Sequence, residues 1–260
     1  MSNMLHVRPL LSYRLFSVAP PLPALSPLDS RPDSLTERTI EAVRQGVRSG
    51  ALLPGELYSV YRLAEELGIS RSPVREALLR LGETGMIRFE RNRGFRVVLP
   101  TPHDIAEIFS IRLALEVPAV GRATRQADDT DRTAVRAEYA AMEQAAAAND
   151  VSLFEWHDQN LHTALMVAEG NGRTKSIINN LRDAVRLVDA STVGVDRSLG
   201  EVLIDHLPIV QAFEASDPKA ASSAMEQHLR TTGRLLLRRA LLQRGEDPGE
   251  ESSLWRRLVG

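Results

Sequence analysis

The sequence predicts a mostly α-helical protein in two units, three helices with a β-hairpin followed by an all-α bundle of six helices. Three observations carry this. From Ser34 to Gly85, apolar residues at helical spacing are punctuated by N-capping residues and glycines; strand-like alternation is confined to Ile87 to Leu99; beyond Pro100 long amphipathic patterns dominate. The 260 residues suffice for two hydrophobic cores. They divide into a disordered proline-rich tail (1–30), a first domain (31–100), a second (101–245) and a C-terminal tail (246–260). The lack of cysteine excludes disulfides and thiolate metal sites and suits a reducing cytoplasm. No apolar run is long enough to predict a membrane span. A signal peptide is the competing reading of the first tail, whose apolar block is broken by Arg8, Pro9 and Arg14.

In the first domain Ser34 and Glu37 form a capping-box pair, Ile40, Val43 and Val47 repeat at helical spacing, and Gly50 stands where that helix ends. After the turn signal LLPGE, Ser59 caps a second helix whose Val60, Leu63, Ala64 and Leu67 follow the i, i+3, i+4, i+7 pattern, with Gly68 closing it. Ser70 is a natural N-cap for a third helix. Pro73 falls in its first turn, where a missing N–H costs no helical bond, and Val74, Ala77, Leu78 and Leu81 form its apolar stripe. MIRFERNRGFRVVLP then alternates as two strands, Ile87 to Glu90 and Phe95 to Leu99, around a loop with Asn92 and Gly94.

Arg71 and Arg75 lie four apart on a polar face of the third helix, with Ser72 beside them at its N-terminus. A tight turn followed by a helix that opens on such residues is the spacing of a helix-turn-helix. There, arginine reaches guanine O6 and N7 while amides and serine hydroxyls take phosphate. Arg91, Arg93 and Arg96 make the hairpin a basic wing suited to a minor groove, and Gly94 would let the backbone come close to the sugar-phosphate chain. Charge points the same way: residues 31–100 carry 12 arginines against 9 acids, and residues 101–260 carry 18 basic against 24 acidic groups. On helical pattern alone, a solvated face on a small helical domain is the alternative.

Beyond Pro100, six helical patterns run from DIAEIFSIRLALEVPAVGRATRQ to DPKAASSAMEQHLRTTGRLLLRRALLQR and describe a bundle. Asp158 and His162 are four apart and share a face. His206 lies eleven residues before Asp217 and His228 eleven after it. Asp217 and Pro218 read as the N-cap and first residue of the last helix, so the chain reverses there and both histidines stand about 16 Å from the turn. Three imidazoles and a carboxylate suit Zn, Ni, Co, Fe or Mn and leave a position for water or a ligand carboxylate. The competing reading is a scatter of core and surface histidines; His103 and His157 fit no such geometry. No second carboxylate or nucleophile stands at a telling spacing, so the chain is read as no enzyme, with a metal-dependent hydrolase fused to a DNA-binding domain as the alternative.

From about Leu35 to Leu99, SGALLPGELYSVYRLAEELGISRSPVREALLRLGETGMI and NRGFRVV resemble the winged helix-turn-helix of the GntR superfamily of bacterial transcription regulators. The resemblance implies that Ser70, Arg71, Ser72 and Arg75 contact DNA from the recognition helix and Gly94 from the wing. Tyr61 departs from the pattern, standing where some members carry a further DNA-contacting arginine. The order Asp158, His162, His206, His228, with AEGN after the first pair, resembles the FCD effector domain of the FadR-like subfamily from about Asp104 to Leu242. It implies a divalent metal, Zn, Ni or Mn, held by those four residues. IRLALE places Arg112 where some members point toward the effector, with a salt bridge to a neighbouring acid as the alternative. The implied function is a ligand-responsive repressor: a cytoplasmic homodimer, not associated with a membrane, that binds a palindromic operator in double-stranded DNA and is controlled by a small organic acid beside the metal. A metal-free regulator of the same fold is the remaining alternative.

Overall fold

Helix α1 (Leu35–Arg48) begins at the expected cap, the Ser34 hydroxyl accepting the Glu37 N–H at 3.2 Å. The computed structural model describes residues 34–189 and 197–260, so the predicted tail 1–30 lies outside the described residues. The Glu37 carboxylate accepts from Arg80 of α3 (Arg71–Glu83) at 2.6 Å and ties the first helix to the third. Ser59 caps α2 (Val60–Glu66), and Gly68, at φ +66°, takes the left-handed conformation that turns the chain into α3. Val74, Ala77, Leu78 and Leu81 of α3 bury against Leu63 and Ala64 of α2 and Ile40, Val43 and Val47 of α1, forming the first core.

Strands β2 (Ile87–Glu90) and β3 (Gly94–Val97) pair antiparallel, with Ile87 opposite Val97 and Glu90 opposite Gly94. The second strand was expected to reach Leu99; the ladder with β2 ends at Ile87 opposite Val97, after which one further bond, from the Val98 N–H to the Met86 carbonyl at 2.9 Å, closes the pairing. A third strand, β1 (Leu57–Tyr58), pairs with the other edge of β3 and gives the order β1-β3-β2. Two residues are too few to show alternation, so this strand leaves no pattern to read.

Six helices follow as expected: α4 (Pro102–Gln126), α5 (Asp129–Ala147), α6 (Val151–Glu169), α7 (Gly172–Asp189), α8 (Leu199–Glu214) and α9 (Pro218–Gln243). Reciprocal capping boxes, Thr101 with Asp104 and Ser198 with Glu201, start α4 and α8. The Asp217 carboxylate accepts the Lys219 and Ala220 N–H groups and opens α9, which fixes the reversal between α8 and α9. Phe109, Phe154, Leu161, Ile209, Phe213 and Leu229 contribute to the second core.

The C-terminal stretch corrects the expectation of a tail at 246–260. A 3-10 turn (Pro248–Glu250) leads into α10 (Glu251–Leu258), whose Trp255 is completely buried, 6.3 Å from Phe109 between ring centroids. Its socket is Gly233 of α9, where a Cβ would lie 2.6 Å from the indole ring. Leu254, Leu258 and Val259 pack against the same core, and Arg230 of α9 donates to the Gly260 carbonyl at 3.0 Å, so the whole segment docks around the buried indole. The two units meet where Arg44 of α1 pairs with the buried carboxylate of Asp183 on α7.

Candidate functional site

The N-terminal turns of α3 present Arg71, Ser72 and Arg75 to solvent, and the loop between β2 and β3 presents Arg91 and Arg93 opposite them. The groove between has a volume of about 620 Å³. None of these guanidinium groups pairs with an acid among the described residues. Ser70 is extended and exposed, and its hydroxyl makes no cap bond to α3. Tyr61 lines the same groove, its hydroxyl pKa raised by the hydrogen bond and charge of Glu65.

Two wing residues depart from expectation. Arg96 bonds Glu90 at 3.1 Å and the Gly55 carbonyl at 2.5 Å, so it fastens β3 to the loop before β1 and adds nothing to the basic face. Gly94 sits at φ +135°, and a Cβ there would fall 1.9 Å from the Tyr58 carbonyl oxygen. Its need for glycine comes from the passing of β1, inside the sheet, which accounts for the residue without any approach of DNA.

In the bundle, α6 carries Asp158 and His162, α8 carries His206 and α9 carries His228. The α8–α9 reversal brings the last two together: their ring centroids are 4.4 Å apart, and each lies 5.3 Å from His162. One nitrogen from each ring falls within a 4.8 Å span, and all three side chains are buried. Asp158 joins through Oδ1, 2.9 Å from His206 Nε2, while its Oδ2 accepts from Arg182 of α7 at 2.8 Å. His103 and His157 stay apart, beside Glu107 and Glu138.

The donor set fits a divalent ion. His206 Nδ1 lies 2.8 Å from the Val202 carbonyl, so in the neutral ring it carries the proton and leaves Nε2 bare. That bare nitrogen faces a carboxylate oxygen at 2.9 Å and His162 Nε2 at 3.2 Å, a convergence of lone pairs that asks for a cation. Two nitrogens each about 2.1 Å from one ion stand about 3.0 Å apart at a right angle and about 3.4 Å apart at a tetrahedral one, which brackets the spacing seen. Glu116 Oε2 lies 3.6 Å from His162 Nδ1, and both atoms are buried and otherwise unsatisfied.

Protonation favours the same use. Burial opposes ionisation of Glu116, but Arg112, 2.6 Å away, and His162 outweigh it and hold the carboxyl at about 2. Asp158 is held well below the usual carboxylate range because Arg182 and His206 overcome the cost of burial. Burial and then Arg182 push His162 down to about 4, and burial with the neighbouring imidazoles lowers His228 well below its ordinary value. Near neutral pH His162 and His228 are therefore unprotonated and Asp158 and Glu116 ionised, the forms that bind metal.

Residues 35–97 match the family described as "Bacterial regulatory proteins, gntR family", and residues 107–231 match the FCD domain. The chain joins a DNA-binding domain of the GntR family to an FCD domain. Among its relatives is "Uncharacterized HTH-type transcriptional regulator YdhC" of Bacillus subtilis, 25% identical over 72% of this chain and 84% of that one. Another is "Probable D-xylose utilization operon transcriptional repressor" of Paenarthrobacter nicotinovorans, 28% identical over 78% and 91%. Of solved structures, E. coli McbR/YncC shares the fold at a TM-score of 0.70, covering 78% of this chain and 97% of its own at 23% identity. This GntR protein is a transcription regulator, as these relatives are, and not an enzyme. Among the described residues no helix is long and apolar enough to cross a membrane.

Two residues of this GntR regulator's cluster were missed in the sequence, Glu116 and Arg182. Glu116 stands four residues after Arg112 on α4, a spacing open to inspection, and the pair forms the salt bridge that was one of the two readings of Arg112. The Arg112 guanidinium also lies over the Phe109 ring at 4.7 Å and is buried. Arg182 reaches Asp158 from another helix, 24 residues on, and no local spacing announces it.

Proposed function

We propose that this GntR regulator is a repressor whose bundle holds a divalent metal, Zn, Ni or Mn, through Asp158, His162, His206 and His228, and responds to a small organic acid bound beside it. The carrying observation is the bare Nε2 of His206 set 2.9 Å from Asp158 and 3.2 Å from His162, with His228 of the antiparallel α9 beside it at 4.4 Å between ring centroids. With neutral imidazoles, Asp158 and Glu116 balance Arg112 and Arg182. A divalent ion then leaves the cluster with two surplus positive charges, which the carboxylates of an organic acid neutralise. When bound, the ion supplies an electrophilic anchor for a carboxylate oxygen. His206 is kept in the ligating tautomer by Val202, His162 is aligned by Glu116, and Arg182 keeps Asp158 ionised. An effector carboxylate that reaches Arg112 competes there with Glu116.

The DNA half of the proposal places a cytoplasmic homodimer on a palindromic operator in double-stranded DNA, with Arg71 and Arg75 at base edges and phosphates, Ser70 and Ser72 at phosphates, and the wing near Gly94 along the minor groove. The exposed, unpaired Arg71, Arg75, Arg91 and Arg93 support it. A relative named as a probable operon repressor supports repression as the sense of control.

Elemental analysis of untagged protein tests the metal. About one divalent ion per chain, absent from a His206→Ala/His228→Ala variant, is expected. No ion in the wild type after reconstitution with Zn, Ni or Mn removes the metal from the proposal and leaves a metal-free regulator. A thermal-shift screen of small carboxylates with the loaded protein then checks the effector class.

A further inference from the structure

We infer that α7 is a relay: Arg182 and Asp183, neighbours on this helix, tie occupancy of the histidine cluster to docking of the winged helix onto the bundle. The inference rests on the proposed metal reading and adds to it how the site would speak to the DNA-binding domain.

Adjacent residues on an α-helix leave it about 100° apart, so one turn of α7 serves two directions. Arg182 points into the bundle and holds Asp158 at 2.8 Å. Asp183 points out to α1 and pairs with Arg44. The Asp183 side chain is 2% exposed and that of Arg44 18%, so this contact between domains is largely removed from water and is not a screened surface pair. The other acid near Arg44, Glu41, is 4.0 Å away and 58% exposed.

Clefts open around this contact. One, of about 470 Å³, separates Glu37 and Ile40 of α1 from Ile177 and Asn180 of α7. Another, of about 640 Å³, separates Glu41 and Gln45 of α1 from Leu153 and Trp156 of α6. Between these gaps the Arg44–Asp183 pair joins α1 to α7.

The sign follows from the two oxygens of Asp158. Oδ2 is given to Arg182 and Oδ1 faces the histidines. Once Asp158 shares its charge with a cation, it offers less to Arg182, and that guanidinium also meets added positive charge. The anchor of Arg182 weakens, the turn that carries Asp183 loosens, and the hold on Arg44 slackens. Linkage makes this reciprocal: releasing Arg44 from Asp183 tightens cation binding by the same factor.

The test is Mn²⁺ affinity, from the free-ion electron paramagnetic resonance signal, with Zn²⁺ by competition, in full-length wild type and in Arg44→Gln and Asp183→Asn. Arg44 touches no member of the cluster, yet its substitution is expected to tighten Mn²⁺ binding about fivefold or more, the lower end of ordinary coupling. An affinity unchanged within about twofold, or weakened, overturns the relay. In an Arg182→Gln background the effect of Arg44→Gln is expected to vanish; its persistence overturns the route through α7. Circular dichroism melts confirm folding, and Arg44→Gln carries the test if Asp183→Asn does not fold. A wild type that binds neither ion sinks the metal reading and the relay with it. A wild type that binds while Arg44→Gln changes nothing sinks the relay alone.

Discussion

The two domains put arginine to opposite uses. On the winged helix Arg71, Arg75, Arg91 and Arg93 stand in water without an acidic partner among the described residues, whereas in the bundle Arg112 is buried against Glu116 and Arg182 is held by Asp158. An exposed, unpaired guanidinium keeps its charge available to a phosphate or a guanine edge. A buried, paired one is neutralised where it stands and acts on its neighbours' protonation. Net charge by domain gave the first hint of this division, but burial and pairing decide which charges look outward.

The sharpest way to break the comparison is Arg112→Ala. It strands the buried carboxylate of Glu116 and is expected to cost about 3 to 5 kcal/mol in urea unfolding. Removing both in Arg112→Ala/Glu116→Ala recovers much of that, and Arg71→Ala stays within about 0.5 kcal/mol of wild type. Equal costs for Arg112→Ala and Arg71→Ala would contradict the division.

Acid stability comes next. His162 titrates near 4 when folded and near 6.5 when unfolded, so between those values the unfolded chain takes up a proton that the native one refuses. Stability in the presence of a chelator therefore falls as pH drops from about 6.5 to about 4, by up to about 3 kcal/mol at about 1.4 per unit. Glu116 and Asp158, with lowered folded values, extend the loss below about 4.5. His228, whose folded value is also lowered, contributes in the same window, so His162→Gln is expected to reduce the upper part of the slope without abolishing it; an unchanged slope in that variant assigns it to other groups. On the DNA side, Arg71→Ala is expected to weaken operator binding by about 1 to 3 kcal/mol and relax preference at one base position, read by a fluorescence titration on a selected site. A uniform loss across all sequences would make Arg71 a phosphate contact instead.

Local chemistry made much of this legible. Ser59, Gly68 and Asp217 mark helix ends whatever surrounds them, which is why α2, the turn before α3 and the α8–α9 reversal stand where spacing put them. The meeting of His206 with His228 followed from that reversal plus the helical rise, and the pairing of Asp158 with His162 from their four-residue spacing on one helix. What escaped was tertiary. Arg182 meets Asp158 because α7 packs beside α6, and Trp255 of α10 finds its place because Gly233 leaves room for it. Arg96 was counted as basic surface because a sequence shows its charge and not Glu90 beside it.

Arg136 separates pairing from burial. Its guanidinium bonds Glu214 at 2.5 Å, as close as Arg112 lies to Glu116, yet its side chain is 61% exposed and that of Glu214 32%. Water screens the attraction, and holding two long side chains in one arrangement costs entropy that offsets much of the gain. Arg136→Ala is therefore expected to lower the unfolding free energy by less than about 1 kcal/mol and to leave Mn²⁺ affinity unchanged. The same urea titration that exposes Arg112→Ala reads this small value. A cost for Arg136→Ala near that of Arg112→Ala would mean that the short contact itself, and not removal from water, gives the bundle's arginines their weight.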